Sequence, residues 1–342
     1  MFRSASEGAV LEIEGRRNAR NDLRRFGIGF LDDALIGIRP SDLILVGAET
    51  GTGKTQLCCN IALANIADGR KVHFIALEAE EYEIERRLKY QIIAHEYFND
   101  PNRPHLGAHL TFDRWDLGDY LEPLAKYEER ATAFMLGAYA GLFMHYKDSD
   151  EFTIANLIES VALNAHASDL FIIDHAHYFD LDESMGENRA LKQLAKTVRS
   201  LALEQNKPII LVAHLRKRDK ANGDLAPSAD EFHGSSDLAK IATKVITISP
   251  GGRTTTGLFE TFFRISKHRK NGGVTRFIGR VMFNPRTNSY EYGYKIGHSS
   301  ATRKEGFGEL DQSLYPEWAR RQVTLGTNHR ANDARQSTMD ED

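Results

Sequence analysis

Cysteine is almost absent: two residues in 342, and those two are neighbours, Cys58 and Cys59. Adjacent residues of one helix cannot easily bridge to each other, so a disulfide framework and a cysteine-based zinc site are excluded. Scarce thiols suit a reducing, cytoplasmic setting. Long apolar runs are also missing; none approaches the ~20 residues that cross a bilayer, so no membrane association is expected. The amino-terminal stretch has no hydrophobic core and carries acids, which argues against a secretory signal or a transit peptide. Nor does one sign of charge dominate: 44 Lys and Arg stand against 48 Asp and Glu, a formal net charge of −4. A protein that binds nucleic acid over its whole surface is thereby excluded, and any basic footprint has to be local.

What is present is a recurring pattern. Short apolar, β-branched runs stand at 43–47, 71–77, 141–146, 169–174, 208–214 and 244–249. Helix-period segments lie between them at 55–68, 79–97, 119–140, 153–166 and 187–205. Strands that are apolar on both faces and alternate with helices predict an α/β fold with a mostly parallel sheet between helical layers. After 249 the pattern changes to strand, turn at Asn271-Gly272-Gly273, and strand, which predicts a carboxyl-terminal antiparallel hairpin. The expected organisation is a charged arm or linker helix at 1–25, one compact domain at 26–296, and a polar, disordered tail at 297–342.

The segment "GAETGTGKTQ" follows the first strand and opens a helix. That is the context a phosphate-binding loop requires. Gly51 and Gly53 let backbone N–H groups curl around phosphate oxygens, and the helix N-terminus adds favourable partial charge. Lys54 would reach the β- and γ-phosphates of ATP, and Thr55 would hold Mg²⁺. Ala48 stands where the usual pattern has its first glycine; with φ below zero it leaves the cradle formed by Ala48, Glu49, Thr50, Gly51, Thr52, Gly53, Lys54, Thr55 and Gln56 intact. Asp174, ending an apolar strand, is the candidate second metal-side acid. Glu78 follows the second strand and is the candidate general base for an attacking water.

These motifs, in unbroken order over about 26–285, resemble the DnaB/Twinkle-type replicative helicases. "GIGFLDDALIGIRPSDLILVGAETGTGKT", "FIALEAEEYEIERRL", "IIDHAHYF", "GSSDLAKIATKVITI" and "RISKHRKNGGVTRFIGRVMFN" carry the likeness. It implies a RecA-like P-loop NTPase fold and a ring-forming, ATP-dependent helicase or single-strand DNA translocase of phage, plasmid or mobile-element replication. His214, ending the fifth strand, would sense the γ-phosphate. Lys267 and Arg269 match the family's Lys-x-Arg, whose arginine acts in trans on a neighbouring subunit's nucleotide, which implies a homo-oligomer, a ring of six. Without that context the same residues read as a solvated hairpin tip. Arg216, Lys217, Arg218 and Lys220 would contact single-stranded DNA, and a primase or helicase loader is a candidate partner. Two other readings stay open: a RecA/RadA-like recombinase or mediator, and a KaiC-like regulatory ATPase.

Overall fold

The computed structural model describes residues 5–106, 110–147, 151–181, 184, 186–215, 223–232 and 236–320. Its helices are α1 (Ala5–Asn18), α2 (Gly29–Leu35), α3 (Lys54–Ala67), α4 (Glu83–Asn99), α5 (Phe112–Asp116), α6 (Leu121–Gly137), α7 (Ile154–Asn164), α8 (Glu187–Glu204) and α9 (Ser236–Ile241). Its strands are β1 (Leu43–Ala48), β2 (Val72–Ala76), β3 (Leu142–Tyr146), β4 (Leu170–Asp174), β5 (Ile209–His214), β6 (Lys244–Arg253), β7 (Phe259–His268), β8 (Phe277–Asn284) and β9 (Ser289–His298). They form one sheet in the order β3-β2-β4-β5-β1-β6-β7-β8-β9. The first six strands are parallel, and β7 to β9 continue the sheet antiparallel. No described helix is long and apolar enough to cross a membrane.

Period-two alternation splits the central strands between two cores. Ile44, Val46, Ala48, Phe74, Ile172 and Val212 face the α2–α3 layer. Leu43, Leu45, Ile75, Phe171, Ile173 and Leu211 face the α7–α8 layer. Helix α8 answers with Leu191, Leu194, Ala195, Val198 and Ala202, one face of a 3.6-residue period. Both sides of the sheet are therefore covered, as a parallel sheet demands.

Two expectations need correction. Residues 79–82 are not helical; α4 begins at Glu83, and Tyr82 before it has a φ of 65°. The expected start of a disordered tail at 297 is also too early, since Tyr315 and Ala319 are buried in the core. Phe30 explains why: its ring packs edge-on against Tyr294 at 5.6 Å and against Trp318 at 5.9 Å. Emptying that wholly buried position by Phe30→Ala should destabilise the fold by about 3–5 kcal/mol, read from the denaturant midpoint. Helix α1 holds an exposed Arg16–Glu12 ion pair at 2.7 Å.

Candidate nucleotide site

Four neighbouring strands, β2, β4, β5 and β1, end side by side, and their carboxyl edge gathers the candidate residues. This is where open α/β sheets hold ligands. Register fixes the geometry: Ala48 pairs with His214, and Ala76 pairs with Asp174. Between β1 and α3 the loop turns through Gly51 at φ 75° and Gly53 at φ 92°, positions that a side chain would strain. Ala48 is buried in the strand and has no positive φ, so the missing glycine leaves the turn unaltered. Ala48→Gly should leave nucleotide affinity within a few-fold, measured by equilibrium titration.

A cleft of about 470 Å³ lies over the loop, lined by Thr50, Gly51, Lys54, Thr55, Glu78 and Arg87 among others. Lys54 is buried, and its Nζ donates to the Glu49 carbonyl at 3.2 Å. Burial pulls its ammonium below the ordinary range, against the opposing charges of Asp174 and Glu78. Thr55 Oγ1 donates to Asp174 Oδ2 at 2.6 Å. Burial also pushes the Asp174 carboxyl up to about 6, with the charge of Glu78 adding to it and the Thr55 hydrogen bond opposing it. Asp174 Oδ1 is buried with no hydrogen-bond partner among the described residues. An under-compensated carboxylate beside a hydroxyl is a hard-oxygen donor set, and it fits Mg²⁺. The Gln56 side chain is directed elsewhere, donating to the Asn288 carbonyl at 2.6 Å.

Glu78 projects from the end of β2 with its side chain 38% exposed, and its Oε2 lies 2.9 Å from His175 Nε2. His175 is wholly buried, and burial, with His214 and His177 beside it, lowers its imidazole to about 2. Burial thus favours its neutral form. The His214 ring stands edge-on to it, centroids 4.1 Å apart. Sequence reasoning passed over His175, although it directly follows the metal-side Asp174; a polar residue beyond a buried strand was the available signal.

Lys267 and Arg269 are not part of this cluster. The Arg269 backbone N–H donates to the Thr243 carbonyl at 3.0 Å, and the Thr243 N–H donates to Leu43 at 2.8 Å. Arg269 thus sits at the amino edge of β1, roughly 17 Å from the phosphate loop at ~3.3 Å per residue. Its side chain is exposed. Lys267 Nζ donates to the carbonyls of Ala239 and Lys240 at 2.9 and 2.6 Å, capping the end of α9. Within one chain neither residue serves the cleft. Arg216, Lys217, Arg218 and Lys220 lie outside the described residues.

A family model of the DnaB-like helicase C-terminal domain matches residues 25–97. The replicative DNA helicase DnaB of Nostoc sp. is 28% identical over 252 residues, which cover 70% of this chain and 26% of that protein. A probable plasmid replicative DNA helicase of Chlamydia trachomatis is 22% identical over 261 residues, 73% of this chain and 53% of that protein. The chain therefore spans from about a quarter to about half of the length of these relatives. A solved DnaB-like replicative helicase, whose interactions with primase were also described, superposes with a TM-score of 0.65 at 14% identity, covering 85% of this chain and 67% of that one. The solved ATPase domain of G40P superposes at 0.67, also 14% identical, covering 85% and 99%. Over residues 25–97 the sequence is thus similar to the DnaB-like helicase C-terminal domain, and over most of the chain the fold is similar to the RecA-like α/β plan of the solved domains.

Proposed function

We propose that this chain is the ATP-hydrolysing motor of a ring-forming helicase or single-strand DNA translocase of DNA replication, of the plasmid, phage or mobile-element kind. The observation that carries the reading is the meeting of Lys54, Thr55, Glu78, Asp174 and His214 at the carboxyl ends of four adjacent parallel strands. In this reading the loop N–H groups and Lys54 bind the triphosphate, Glu78 orients and deprotonates the attacking water, and His214 senses the γ-phosphate. Mg²⁺, held by Thr55 and Asp174, would neutralise charge on the phosphate oxygens.

The opposite placement of Arg269 supports an oligomer. A guanidinium at the amino edge of one sheet can complete only another subunit's site, and charge stabilisation by such an arginine is a recurring device of phosphoryl transfer. Residues 6–25, helical as far as Asn18, would pack on the neighbouring subunit. The basic cluster Arg216, Lys217, Arg218 and Lys220 would neutralise single-strand phosphates with little sequence preference. A primase or loader would be a partner of the assembled ring.

The deciding experiment is phosphate release with and without single-stranded DNA, paired with particle imaging. DNA-stimulated hydrolysis by rings is the expected result. Filaments would favour a recombinase, and hydrolysis indifferent to DNA would favour a regulatory ATPase. Joint replacement of Arg216, Lys217 and Arg218 by Ala should remove most of the stimulation while sparing the DNA-free rate. Undiminished stimulation would take this loop out of the DNA path.

A further inference from the structure

His175 has no role in the mechanism above, yet it is the most enclosed polar group of the site. Its Nδ1 accepts the backbone N–H of His177 at 3.2 Å. In a neutral imidazole a nitrogen that accepts leaves the proton on the other, so Nε2 carries N–H. That nitrogen stands 2.9 Å from Glu78 Oε2, close enough to donate but outside good hydrogen-bond direction. The His214 ring and the Tyr178 ring, centroids at 4.1 and 4.8 Å, pack edge-on against the imidazole. Glu78, by contrast, hangs from a segment without helix or strand and is partly exposed. A partly exposed carboxylate beside a wholly buried N–H donor is an arrangement in which the enclosed partner can dictate position.

We propose that His175 is a positioning residue for Glu78: its Nε2–H aligns with one carboxylate oxygen as the cleft fills, leaving the other oxygen to face the attacking water. Catalytic hydrogen bonds are often loose in a ligand-free site and tighten when it is loaded. Glu78, His175 and His214 also have donor atoms all within 4.8 Å of one another, a spacing that a zinc-class ion could bridge. The engaged Nδ1 weighs against that use, because a ligating Nε2 would have to give up its proton to a nitrogen already facing the His177 N–H.

This inference rests on the ATPase reading, so wild-type hydrolysis is measured first; its absence overturns both. Given hydrolysis, His175→Leu should lower kcat about ten- to a hundredfold with KM for ATP little changed, as misplacing a reacting group does. His175→Gln, whose amide can donate from a similar reach, should recover most of the rate. On a Glu78→Gln background His175→Leu should cost nothing further, since the residue it positions is already disabled. A normal kcat in His175→Leu, a full additional loss on the Glu78→Gln background, or no rescue by Gln in folded protein would each overturn the proposal and leave the ATPase reading standing. Should His175→Leu fail to fold, ¹⁵N resonances of the wild-type ring decide: the Nε2-protonated neutral form is expected, and the Nδ1-protonated form overturns it. A visible Co²⁺ absorption band that depends on His175 would likewise overturn it, in favour of a metal site.

Discussion

Lys54→Ala is expected to reduce ATP hydrolysis by at least about 10²–10³-fold, the scale on which removing one preorganised charge-stabilising donor acts. The structure makes the loss heavier than that of a surface lysine. Lys54 is buried between two acids, and its ammonium is held charged by Asp174 and Glu78 against the cost of burial. Without it the cleft presents two carboxylates to a triphosphate, and like charges at short range disfavour binding as well as reaction. Both nucleotide affinity and the rate of phosphate release should therefore fall. A variant within about tenfold of wild type by phosphate release would mean that the loop is not the site of transfer.

Glu78→Gln is expected to separate the two properties. The amide keeps the shape and reach of the carboxylate but cannot accept a proton, so kcat should drop about 10²–10⁴-fold. Nucleotide affinity should hold, because Glu78 lies at the cleft wall and not in the phosphate cradle. A fluorescent nucleotide titration beside steady-state phosphate release reads both. Equal losses in affinity and rate would make Glu78 a binding determinant instead.

Much of this architecture was legible from residue order. The β1, β2, β4 and β5 runs alternate so regularly that two opposed cores follow from them, and Gly51-Thr52-Gly53-Lys54-Thr55 between strand and helix marks the loop. Asp174 and Glu78 were locatable because each follows an apolar run by one step. Other features escaped for physical reasons. Strand β9 carries Ser, Tyr, Glu, Gly and Lys, and only Tyr294, Ile296 and Gly297 of it are buried, too few to raise a periodic signal. The anchors after it, Tyr315, Trp318 and Ala319, are scattered apolar residues in a polar stretch and reach the core only through tertiary contact. Helix α4 was extended too far forward because 79–85 is rich in glutamate, a good helix former, whereas Tyr82 adopts a left-handed backbone. The pairing of His175 with Glu78 joins residues that are far apart in sequence, and no local spacing encodes it.

The segment after β9 has a protective role that its sparse anchoring does not suggest. A nine-stranded sheet must end somewhere, and an exposed terminal strand invites pairing with any extended chain. Here the Ile296 carbonyl is taken by the Leu310 N–H at 2.9 Å and the Ile296 N–H by the Tyr315 hydroxyl at 3.1 Å. Gly297 bridges Glu309 antiparallel, and Lys295 pairs with Glu309 at 2.8 Å. The polypeptide thus closes its own ladder with a short charged strap. A chain cut after His298 would keep the phosphate loop and every strand but lose that strap, and its fate would be edge-to-edge aggregation before any loss of chemistry.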